Sequence, residues 1–297
     1  MLVRKKPKIN KINNGLSNDK LDAFSCFIDT LSDTHFNLNT FYNNMVNVKI
    51  NEVDKFSGDQ KTCLALYMPL ENEIRYLRGM LDSGIMHELF HMATSVIKDG
   101  YLYIGFFQKN LKTGEYLGIG LTEGYTILMD KKYFSDYSLG KKEVLENEYP
   151  ITSYFVSLVQ DIVGEDSMEK MYSDCNLYTL VFALSSLTGK KSTFKFIRAL
   201  DYINIHFENK MHPLVTPRLM HAINYANYYC YRMMIKHANN VYKRNLISEE
   251  DYLDVMNTIA SHFEHPLAIG KYIKRKSTPI EHDNICKYIR KKEYTNN

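Results

Sequence analysis

The sequence predicts an α+β protein, with a small mixed or antiparallel sheet laid on one buried helix and a largely helical second half. Three observations predict it. Short β-prone runs are confined to the chain before about residue 120, and helix-period segments follow one another after residue 141. Between the β-prone runs lies "GIMHELFHMATS", residues 84–95, whose apolar residues leave no polar face, as in a helix at the centre of a domain. A soft boundary near residue 140 separates a mixed half, 21–140, from a helical half with a basic tail, 141–297. Residues 1–20 form a polar lead.

Taken in order, "LDAFSCFIDTLSD" has helical spacing, with Leu21, Phe24, Phe27, Ile28 and Leu31 on one stripe. "NMVNVKI", "TCLALYM" and "NEIRYLR" are β-prone. The turn residues Pro69, Glu71 and Asn72 make 63–68 and 73–77 a candidate hairpin. The helix with the central motif is expected from about Ser83 to Lys98, capped by Asp82 or Ser83 and closed at Gly100. "NLKTGE" reads as a turn between two aromatic, β-prone runs, and "LTEGYTILM" as a further apolar helix. Beyond it, Pro150 breaks the first helical stretch, which ends at Gly164. Helices are then expected over 167–189, 192–207, 217–240 and 248–263, the last opened by Ser248 and Asp251 at capping-box spacing.

Composition narrows the function classes. The 297 residues carry 37 basic and 34 acidic side chains, a surplus of +3 that argues against binding nucleic acid through phosphate neutralisation. The local basic clusters "VRKKPKINK", "KYIKRKS" and "KYIRKK" read as solvated termini. Five scattered cysteines without a C-x-x-C pair fit reduced thiols better than a disulfide framework. The amino terminus has positive charges but no apolar stretch after them, and no apolar run reaches membrane-spanning length. A cytoplasmic protein that engages neither membrane nor nucleic acid is the expectation.

The chemistry concentrates in His87, Glu88 and His91, an H-E-x-x-H pattern. On a helix, residues four apart share a face, so both imidazoles can reach one ion. Zinc suits the pair, since it takes neutral imidazole nitrogen and leaves a position for water. Glu88 can take a proton as that metal-activated water attacks and pass it to the leaving group. An accidental match on a surface helix would carry Lys or Glu at the intervening and flanking positions. Here they are Leu89, Phe90, Ile85, Met86, Met92 and Ala93, and burying three polar groups among them is costly unless a metal satisfies all of them.

Metzincins need Gly and a third His at positions held here by Thr94 and Ile97, which excludes that class. "MHELFHMA", followed by a glycine-rich approach and "TEGYTILM", resembles the HExxH…EG arrangement of gluzincin-like metallopeptidases of low-GC Gram-positive bacteria and their mobile elements. The likeness covers roughly residues 60 to 180. It implies a zincin-like fold, one zinc ion held by His87, His91 and Glu123, Glu88 as general base, and a peptide or protein substrate laid along an edge strand from residues 63–77 or 101–119. The chain departs from thermolysin-like enzymes at Ile127, where those carry an Asp that orients a histidine ligand. Rivals to Glu123 are Glu115, Asp130, Glu143, Glu146 and Glu148.

An oxyanion donor could be Tyr125, Tyr154, Tyr172, Tyr178 or His206. His262 and His265 lack a nearby third ligand, and His206, His212, His221 and His237 are scattered, so no second metal site is expected. Two other readings share the same residues: a zincin-fold regulatory or binding protein without catalysis, and a toxin-like protease with a single target.

Overall fold

A computed structural model of the chain describes residues 18–56, 64–135, 149–208 and 214–263. The terminal basic clusters, Glu143, Glu146, Glu148, His212 and His265 lie outside them. The described residues form a mixed α+β fold.

The predicted first helix is α1 (Asn18–Leu31), which buries Phe24, Phe27, Ile28 and Leu31; α2 (Asn39–Met45) follows. Three strands come next: β1 (Lys49–Val53), β2 (Ala65–Met68) and β3 (Glu73–Leu77). β3 is the centre of their sheet, parallel to β1 and antiparallel to β2. The hairpin expected at 63–77 is this β2–β3 pair, turned at Asn72, whose φ of 47° an asparagine tolerates. Among the described residues β1 and β2 are the outer strands of this sheet.

The motif helix α3 (Leu81–Ala93) packs under β2 and β3, and Ile85, Met86, Leu89, Phe90, Met92 and Ala93 are buried. It ends earlier than expected. Thr94 turns its hydroxyl back onto the carbonyl of Phe90, and the next residues form β4 (Ser95–Lys98), not a last helical turn. β4 pairs antiparallel with β5 (Tyr101–Ile104) through Asp99 and Gly100, which have φ of 52° and 77°. Positive φ at both central residues is the two-residue hairpin turn that Asp-Gly favours, so Gly100 serves a strand pair and not a helix terminus.

"YLYIGFF" also divides. Gly105, at φ 55°, turns β5 into β6 (Phe107–Asn110), which pairs with β7 (Tyr116–Leu117) across the predicted "NLKTGE" turn. The result is a four-stranded antiparallel meander, β4-β5-β6-β7.

α4 (Ile119–Phe134) crosses from this meander into the helical half, packing on α3 and on α5 (Pro150–Val163). The expected helix over 167–189 is two: α6 (Glu165–Ser173) and α7 (Leu177–Thr188). Cys175, at φ 54°, breaks the run, and Asn176 caps α7 by accepting from Thr179 N. α8 (Lys190–Ile203) runs into a π-helical turn at Asn204–Glu208. α9 (Pro217–Lys243) and α10 (Glu249–Phe263) complete the described chain, Ser248 capping Asp251 N as its spacing predicted.

One core of buried residues runs from Ala23 to Ile259 through both halves. Phe27 is its hub in the first half, stacked on Phe41 and Phe134 at centroid distances of 4.9 and 5.6 Å and meeting Phe90 of the motif helix edge-on at 5.0 Å. One side of α3 is thereby anchored in aromatic packing, and its motif side chains face another way. Among the described residues no helix is long and apolar enough to cross a membrane.

Candidate metal centre

His87, Glu88 and His91 are each under a tenth exposed. Their one-turn spacing on α3 brings the two Nε2 atoms to 3.0 Å. Glu123, from the second turn of α4, comes in beside them. Its Oε2 lies 3.2 Å from His87 Nε2 and 3.4 Å from His91 Nε2. Of the sequence's candidates for a third ligand among the described residues, Glu123 is the one that reaches the histidines. Glu115 is exposed on the β6–β7 turn, and Asp130 lies farther along α4.

Two imidazole nitrogens and a carboxylate oxygen thus converge on one point, largely out of water. Three lone-pair-bearing atoms at such separations repel one another unless a proton or a cation sits among them. The spacing itself is informative. A tetrahedral ion with ligands at about 2.0–2.1 Å has ligand–ligand edges of about 3.3 Å, against observed edges of 3.0, 3.2 and 3.4 Å. The donor set and its dimensions fit a metal ion. Burial alone would raise the carboxyl of Glu123, but the neighbouring His91 and His87 outweigh it and hold it well below the usual range.

Glu88 points toward the sheet and not into the cluster. Its Oε2 accepts a 2.6 Å hydrogen bond from Tyr67 N on the outer strand β2. The candidate base is thereby oriented by the strand that borders the cleft. That cleft, of about 140 Å³, is lined by Ala65, Leu66 and Tyr67 on one side and by Ile104, Phe107 and Ile119 on the other, with His87, Glu88, His91 and Glu123 at its floor.

Compared with known proteins, the chain matches no family model, no curated protein and no solved structure. What it can do must be read from its own residues.

Tyr149 is the residue that sequence reasoning missed. It lines the cleft, and its ring lies nearly parallel to His87, 6.2 Å between centroids with 21° between planes. The five candidates named for an oxyanion donor lie elsewhere. Tyr125 and Tyr172 are fully buried in a mutual ring contact, Tyr178 is exposed on α7, and Tyr154 and His206 are not among the lining residues. Tyr149 holds φ 45°, ψ 47° immediately before Pro150, a conformation strained for a non-glycine residue and disfavoured before proline. A tyrosine next to a helix-opening proline was the available signal, but only the fold brings it to His87.

α4, which carries Glu123, and α5, which follows Tyr149, each have their amino end held by a carboxylate, the buried Asp201 and the partly buried Glu208. At α4, Gly118 N and Gly120 N donate to Asp201 Oδ2 and Oδ1 at 2.9 and 3.0 Å. At α5, Ile151 N and Thr152 N donate to Glu208 Oε1 at 2.7 and 3.0 Å, and the Thr152 hydroxyl donates to Oε2 at 2.7 Å. Burial pushes Asp201 up to about 6 and Glu208 up to about 7, and the bonded N–H and O–H groups only partly offset it. The carboxylate that would orient a histidine ligand has no counterpart at His91, whose buried Nδ1 meets no hydrogen-bond partner among the described residues.

Proposed function

We propose that the protein is a zinc-dependent peptidase of gluzincin type, with His87, His91 and Glu123 as metal ligands and Glu88 as general base. The observation that carries the reading is the convergence of the two Nε2 atoms and Glu123 Oε2, within 3.4 Å of one another at the floor of a cleft bordered by Glu88. Zinc held there would supply Lewis acidity for the scissile carbonyl and lower the pKa of water. The protein groups do the rest. Glu88, aimed by Tyr67 N, takes the proton of the attacking water and delivers it to the departing amine. Tyr149 supplies a phenol on the cleft wall for the oxyanion that develops on the substrate.

The outer position of β2 among the described residues supports a peptide as substrate, because an extended chain can pair along its side away from β3, where Tyr67 N already meets Glu88. A small sheet packed on the motif helix, with a largely helical half after it, supports that reading.

Glu88→Gln separates binding from chemistry. The variant should hold one zinc per chain, measured by elemental analysis, and lose about 10²–10⁴-fold in kcat on a peptide selected from a library. Full activity in Glu88→Gln, or a folded wild type that takes up no zinc, would sink the proposal.

A further inference from the structure

The helical run formed by α8 and its π turn touches the metal centre with no ligand, yet it supplies the groups that hold both incoming helices. Asp201, near the end of α8, receives the first N–H groups of α4, the helix of Glu123. Glu208, at the end of the π turn, receives those of α5, the helix preceded by Tyr149. The contacts leave α4 little latitude: a Cβ at Gly120 would run into the carbonyl oxygen of Leu200. A π turn is uncommon in proteins and tends to mark functional sites, because the extra residue re-aims the side chains that follow it. Here it intervenes between the two capping carboxylates, so it sets where Glu208 stands relative to Asp201.

The case for Glu208 is strengthened by what it restrains. The αL conformation of Tyr149 is strained for a non-glycine residue and persists only where its surroundings over-determine it. Ile151 and Thr152, two and three residues after it, donate three hydrogen bonds to Glu208 and restrain the backbone that follows the tyrosine, whose ring lies beside His87.

We propose that Asp201 and Glu208 are positioning residues on a common mount, Asp201 setting the third-ligand helix and Glu208 setting Tyr149 over the metal centre. The proposal rests on the zinc-peptidase reading above. The two carboxylates act on different partners, so their removal affects different quantities.

The test measures zinc affinity by chelator competition, and kcat and KM on a library-selected peptide, for Asp201→Ala, Glu208→Ala, Tyr149→Phe and the Glu208→Ala/Tyr149→Phe double variant. Asp201→Ala should weaken zinc binding about 10–100-fold, the range for groups that orient a metal ligand. Glu208→Ala should leave zinc affinity within about 2-fold and lower kcat about 10–100-fold with KM little changed, as for a group that aims a transition-state donor. In the Tyr149→Phe background the same Glu208→Ala change should cost less than about 2-fold more, because its target is already gone. Additive losses in that cycle, or equal losses of zinc affinity in Asp201→Ala and Glu208→Ala, overturn the proposal.

Two milder variants keep the test decisive if an alanine prevents folding. Glu208→Gln can still accept both backbone bonds through Oε1 and should retain kcat within about 3-fold. Asp201→Asn can keep only one of its two and should weaken zinc in the same direction but less. A Glu208→Gln loss as large as that of alanine counts against positioning by these bonds. Zinc-loaded wild type that cleaves no library peptide defeats the peptidase reading alone, and the zinc-affinity contrast between the two carboxylates still judges the mount.

Discussion

Glu123 shows how a single side chain can be ordinary in sequence and decisive in place. Its carboxyl sits against both imidazoles of the motif helix and is held well below its usual range by them. Carboxylate, imidazole nitrogen and burial together form a group that could hold a cation, and zinc is the ion proposed. Zinc binding to the native state should therefore raise stability by mass action, by about 2.7 kcal/mol when free zinc is 100 times its dissociation constant. Thermal melts with and without zinc would measure this, and a chelator should reverse it. Glu123→Ala, at the same zinc concentration, should show almost no shift. An equal shift in that variant would mean that zinc is bound elsewhere. Tyr149 teaches the complementary lesson. Its one neighbour of note, Pro150, does not show where its ring goes, since His87 is remote in sequence and meets it only through the fold.

At the scale of the element, α3 and α4 illustrate which helical boundaries a sequence carries. The apolar periodicity of α3 and the cap at Ser248 were legible because they depend on neighbours within a turn or two. The end of α3 was not. Val96 and Ile97 extend a helical pattern as readily as they form a strand, and Gly100 closes a helix as readily as it turns a hairpin. Pairing of β4 with β5 decided between them. The same holds at Cys175 and Asn176, where a cap divided what periodicity read as one helix. In α4 the glycines serve contact and turning: Gly118, at φ 89°, begins the helix, and Gly120 lets it approach the carbonyl of Leu200. Gly120→Ala would normally favour a helix, yet here the added methyl must displace α4 from α8. Denaturant unfolding should show a loss of about 1–3 kcal/mol, and zinc affinity should fall with it as Glu123 is carried away. A neutral or stabilised variant would show that the two helices separate more easily than their contact implies.

For the whole molecule, the two helix-capping carboxylates predict an unusual pH response. Asp201 and Glu208 have folded-state values near 6 and 7, above the roughly 4 of an unfolded chain. Below about 4 each is protonated in both states, and above about 7 each is ionised in both. Between these limits the folded state binds more protons, so their contribution to stability grows as pH falls from about 7 to about 4 and is lost as pH rises through the folded values. The carboxyl of Glu123 works in the opposite sense, being lowered, and its contribution is lost only below about 4. Metal-free protein unfolded in urea across pH 5 to 8 should show Glu208→Gln with a shallower rise toward acid than wild type. The difference is on the order of 1–3 kcal/mol, and identical slopes would contradict the raised value.

The amino-acid sequence by itself determined the α+β class, the buried motif helix, and the placing of His87, Glu88 and His91 together on it. These follow from residue type and short-range periodicity, which act within a turn of helix or a pair of neighbouring strands. It also carried Glu123, as a carboxylate at the start of an apolar helix, though not the 3.2 and 3.4 Å that make it a partner of the histidines. Only the tertiary structure decided the division of 84–104 between helix and hairpin, the approach of Tyr149 to His87, and the capping of α4 and α5 by Asp201 and Glu208. Each of these depends on contacts between segments far apart in the chain, made when α4, α5 and α8 close on one shared core. Local pattern specifies which groups can do chemistry, whereas burial of that common core determines which of them meet.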